Sequence, residues 1–84
     1  MTNKEKLSWL FAALVSCCEI NNFTQAYTIL KNILRFPARD LLEILSSGDA
    51  NVDAFFKNDS YVKNVDAVNM SCLSYTKNMA ETYS

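Results

Sequence analysis

The sequence predicts an all-α fold, a small helical bundle of about four to five helices built on an N-terminal antiparallel hairpin, and three observations carry that prediction. The stretch from Leu7 to Phe36 contains two apolar segments, LSWLFAALVSCCEI and TQAYTILKNILRF, separated only by Asn21, Asn22 and Phe23. Within each segment the large apolar residues recur at three and four, the period of one helical face. The chain also holds one Gly and one Pro, too few to build the tight turns of an all-β fold. With 84 residues, half of them hydrophobic, there is room for one helical domain over residues 1–84 and no more.

The elements follow in order. Thr2 and Glu5 have capping-box spacing, and a first helix over 4–20 places Leu7, Leu10, Phe11, Leu14 and Cys18 on one face. Trp9, Ala13 and Ile20 form a second apolar line, which predicts a helix in contact with two layers. Asn22 and Gln25 repeat the capping arrangement, opening a second helix over 23–36 with Ala26, Ile29, Leu30, Ile33 and Leu34 buried. Pro37 suits the first turn of a third helix over 38–47, with Leu41, Leu42, Ile44 and Leu45 inward and Gly48 as its left-handed cap. A short helix over 51–57 tucks in Val52, Phe55 and Phe56. A fifth, over 60–80, carries Tyr61, Val65, Val68, Cys72, Tyr75 and Met79 as a heptad seam, and residues 81–84 are expected to fray.

Composition narrows the chemistry. The absence of histidine removes the commonest general base and metal ligand together. Cys17 and Cys18 lie inside an apolar helix, where a thiolate is disfavoured, so they read as small core residues of a reducing compartment. Asp49, Asp53 and Asp59 lack the spacing of a calcium loop. Net charge is −1, which disfavours nucleic acid, although Lys31, Arg35 and Arg39 at intervals of four predict a short basic stripe. No run is long enough to span a bilayer. No enzyme activity, cofactor, metal or small-molecule substrate is expected, and a cytoplasmic location is.

The Leu7–Phe36 unit resembles the tetratricopeptide family. Asn21, Asn22 and Phe23 stand where that family has its corner, Ala26 takes the small-residue place in the second helix, Leu30 follows one turn later and Pro37 closes the unit. The sequence departs from the pattern at Leu14, usually a small residue, and at Cys17, usually aromatic. The likeness covers residues 7 to 38 and occurs once, whereas a free-standing solenoid needs about three repeats. The run from Phe11-Ala12-Ala13-Leu14 through Asn21-Asn22 to Ala26 and Ile29-Leu30 is similar, more weakly, to that of small type III secretion needle chaperones and co-chaperones. Both resemblances imply a protein that holds another polypeptide.

Ten aromatic residues are many for a chain of this size to hide. The expected function is therefore a protein-binding adaptor or small chaperone that holds a partner's amphipathic helix in an apolar groove beside the hairpin, or a homo-oligomer. The expected contact residues are Trp9, Phe23, Tyr27, Leu30, Tyr61, Val65, Val68 and Tyr75. One alternative is a small phage- or plasmid-type regulator that binds a transcription protein or DNA. Another is a lipoprotein, since Leu14-Val15-Ser16-Cys17 resembles a lipidation box whose cleavage would remove residues 1–16.

Overall fold

The computed structural model describes residues 1–68 of the chain. Four helices, α1 (Asn3–Glu19), α2 (Phe23–Ile33), α3 (Ala38–Ser46) and α4 (Ala50–Phe56), are followed by a fifth, α5, which starts at residue 59 and runs to the end of the described residues. No strand occurs among the described residues. The expected continuation of α5 to residue 80, with Cys72, Tyr75 and Met79, lies outside them, as does the expected fraying of 81–84.

Local chemistry sets most helix ends. The Thr2 hydroxyl oxygen accepts from the Glu5 amide at 3.2 Å, and the same hydroxyl donates to the Glu5 carboxylate at 3.3 Å. At the other end of α1 Asn21 adopts φ 60°. The Asn21 amide bonds to Cys18 O at 3.0 Å and the Asn22 amide to Cys17 O at 2.8 Å. These two bonds across a left-handed residue are a Schellman closure, with Asn in the place usually taken by Gly. Asn22 then turns round and caps α2, its Oδ1 accepting from the Gln25 amide at 3.2 Å. One residue pair thus stops one helix and starts the next, which makes a corner short enough to force α1 and α2 antiparallel.

Most ends fall within one residue of expectation, but the end of α2 and the place of Pro37 differ. α2 ends at Ile33, not at 36; Pro37 disfavours helical backbone at Phe36, the residue before it. The chain tightens instead, with Arg35 N bonded to Asn32 O at 3.2 Å and Phe36 N to Ile33 O at 3.1 Å. Pro37 is the N-cap of α3 and not a residue of its first turn, and offers no side-chain cap. Gly48 closes α3 with φ +73°, as a left-handed cap requires.

The core is one cluster of Leu7, Phe11, Leu14, Cys18, Ala26, Ile29, Ile33, Ile44, Val52, Phe55 and Val65. α2, α3 and α4 all pack against α1, whose buried residues form the single stripe Leu7, Phe11, Leu14 and Cys18. Phe11, Phe55 and Phe56 stack near one another, with the Phe55 and Phe56 rings edge to face at 5.1 Å. The expectation of a second buried line on α1 fails among the described residues: Trp9, Ala13 and Ile20 are exposed, while α2, α3 and α4 pack around the Leu7–Cys18 stripe. Leu34, Leu42, Leu45 and Phe56, expected inside, are exposed as well. α3 is rotated so that Ile44 alone is fully buried, with Leu41 partly covered.

Candidate functional site

The candidate site is the solvent face of α1. Successive helical residues turn by 100°, so Trp9, Ala13, Ser16 and Ile20 fall on one line opposite the core stripe. Trp9 is 68 % exposed and Ile20 72 %, and Ala13 and Ser16 between them are exposed too. Two large apolar groups about 16 Å apart along the axis flank a flat centre of small side chains. Lys6 and Glu5 lie on either edge, both exposed. Among the described residues this face covers no part of the core, so its apolar residues gain nothing from packing there.

The expected contact residues do not come together as one surface. Among those described, Trp9 is the exposed one. Phe23, Tyr27, Leu30 and Tyr61 are half-buried and pack against the core cluster, and Val68 is half-buried at the end of the described residues. Val65 is corrected: at 1 % exposure it is a core residue, because α5 turns that position inward. Tyr75 lies outside the described residues. No pocket opens among the described residues. Ile20 belongs to the outer face of α1 and was missing from the expected contacts, although its place on the Trp9–Ala13 line was the signal for it.

The expected basic stripe is broken by the end of α2. Lys31 sits in that helix's last turn, its Nζ 5.0 Å from the centre of the Tyr27 ring, while Arg35 lies in the following turn and Arg39 on α3. Intervals of four align residues only within one helix, so the three cations share no helical face.

A second polar feature escaped the sequence reading. Ser8 on α1 donates to Asp49 Oδ2 at 2.7 Å, and Asn51 Nδ2 donates to Ser8 O at 3.2 Å and to Ser8 Oγ at 3.1 Å. Asp49 Oδ1 meanwhile caps α4, accepting from the Asn51 amide at 2.9 Å and the Val52 amide at 3.1 Å. Partial burial would raise the Asp49 carboxyl, but the Ser8 hydroxyl, the Val52 and Asn51 amides and the Lys4 charge outweigh it and hold it below its ordinary value. No buried side-chain oxygen or nitrogen among the described residues lacks a partner, and the cluster fastens α4 to α1. Cys18 is similarly spoken for. Burial, and then the neighbouring Cys17, push its thiol above the ordinary value, which keeps it protonated and slow to react.

Asp53 pairs with Lys57 at 3.7 Å on the surface of α4. No group of three or more metal-binding side chains occurs among the described residues, and no helix there is long and apolar enough to cross a membrane. Compared with family models, with curated proteins and with solved structures, the chain matches none.

Proposed function

We propose that this protein is a non-enzymatic protein-binding module of the cytoplasm, which lays an amphipathic helix of its partner along the outer face of α1. The observation that carries the reading is the exposure of Trp9 and Ile20 on one line of a helix whose opposite line is the core. Large aromatic side chains are the commonest anchors of protein interfaces, and a helix laid on a helix buries them without any strand edge or groove. Ala13 and Ser16 at the centre permit the close approach that such packing needs. The tetratricopeptide resemblance points toward the same role, whereas the groove expected beside the hairpin is a different place from the back of its first helix.

Trp9 is the chain's one tryptophan, which makes the test direct. Affinity capture from native lysate, run with wild type and with Trp9→Ala, should yield a co-purifying protein with the first and little with the second. Adding that protein back should move the tryptophan emission to shorter wavelength. Equal capture by both, with unmoved emission, would sink the reading. The lipoprotein alternative requires loss of residues 1–16, which would take Leu7, Phe11 and Leu14 out of the core.

A further inference from the structure

We propose that α4 is a latch on α1: it is helical only while docked there, and it releases as one unit while the α1–α2 hairpin stays folded. The helix has seven residues, Ala50–Phe56. That is about half the length at which an isolated helix begins to persist in water. What keeps it helical is therefore the surface it sits on.

One side chain joins the two events. The Asp49 carboxylate is divided between them. Its Oδ1 accepts from the Asn51 and Val52 amides, at 2.9 and 3.1 Å, and so caps the first turn of α4. Its Oδ2 accepts from the Ser8 hydroxyl of α1 at 2.7 Å. A carboxylate held by Ser8 is already aimed at the amides, and one held by the amides is already aimed at Ser8. Capping and docking thus strengthen each other. Asn51 adds a second tie, its Nδ2 donating to Ser8 O at 3.2 Å and to Ser8 Oγ at 3.1 Å. At the far end of α4 the Phe55 and Phe56 rings lie 6.4 and 6.0 Å from the ring of Phe11. Both ends of the short helix are therefore anchored within one turn of α1, at Ser8 and Phe11.

The flanking helices are terminated without it. α3 closes on Gly48, at φ +73° with open space where a Cβ would stand. α5 opens on Asn58, whose Oδ1 accepts from the Tyr61 amide and whose O accepts from the Val62 amide, both at 3.3 Å. Neither cap draws on a residue of Ala50–Phe56, so α4 can unwind without removing either. Its release takes both ring neighbours from Phe11 and brings the buried Val52 and Phe55 into water. The open state is accordingly a minor one, and it bares apolar surface that the closed molecule keeps covered.

Native-state hydrogen–deuterium exchange of the full chain, followed residue by residue by NMR in low urea, is the experiment. The amides of Asp53 to Lys57 should exchange through one shared opening, faster than those of Leu7 to Cys18. Ser8→Ala removes the tie and leaves the Asp49 cap in place. It should speed the whole set about tenfold or more, as loss of a hydrogen bond to a charged group implies, and leave α2 unchanged. Phe56→Ala, at the other end of the helix, should speed the same set. Acceleration confined to Asn51 and Val52 after Ser8→Ala means that the first turn frays alone, and it overturns the proposal. Exchange of α4 only with global unfolding overturns it too, as does an equal acceleration in α2 or none at all.

Discussion

At the scale of single residues, the chain is governed by a few positions where backbone and side chain answer to each other. Gly48 shows this most simply. Its φ is +73° and a Cβ built there would meet nothing within 4 Å, so substitution strains the backbone and crowds no neighbour. Gly48→Ala is expected to cost about 1 kcal/mol, and Gly48→Asn less, since Asn tolerates the left-handed region. Urea titrations of the three proteins check the order. Asp49 gives a prediction in pH. Its folded-state carboxyl is held below its ordinary value, so as pH falls the unfolded chain takes up the proton first. The stabilisation is complete above the unfolded value of about 4 and drains away as pH drops through the folded one. Asp49→Asn should therefore flatten the loss of stability below about pH 4, seen as converging melting temperatures of variant and wild type in acid. The caps at Thr2, Asn22 and Gly48 were legible in the sequence because capping is decided within three or four residues. The partnership of Ser8 with Asp49 was not, because 41 positions separate them and no local pattern links them.

At the scale of elements, each helix reveals how far periodicity reaches. α1 and α2 were legible as helices, and the Leu7–Cys18 stripe as their shared seam, from spacing alone. Which way α3 faces was not. Leu41, Leu42, Ile44 and Leu45 cover a wide arc of that helix, and a rotation of one residue decides which are covered. The energetic consequences divide along that line. Phe11→Ala removes a ring that touches both Phe55 and Phe56 and should cost about 3–5 kcal/mol. Leu42, at 67 % exposure, should lose less than about 0.5 kcal/mol on change to Ala. Chemical denaturation of the pair measures the contrast. A sequence reading that counts apolar residues without orienting them assigns the two the same weight. The candidate site suffers from the same ambiguity. Trp9 and Ile20 stood out as a line on α1, but only the placement of α2, α3 and α4 on the opposite side makes that line a surface.

For the molecule as a whole, α1 is the shared neighbour of three helices. Its amides should exchange with solvent most slowly between Leu7 and Cys18, close to the rate set by global unfolding. α3, which has no side-chain cap at its start and leaves Leu42 and Leu45 outside, should exchange faster. Hydrogen–deuterium exchange followed by peptide mapping reads both. The order of elements along the chain has a further effect on the ribosome. The hub is made first, so its inner stripe waits for covers that are still being translated. α2 arrives soon after, but α4 is completed only at Phe56, a few seconds later at ordinary elongation speeds. During that interval Phe11 waits without the rings of Phe55 and Phe56, and the nascent polypeptide carries that apolar side chain before the helix that shelters it exists.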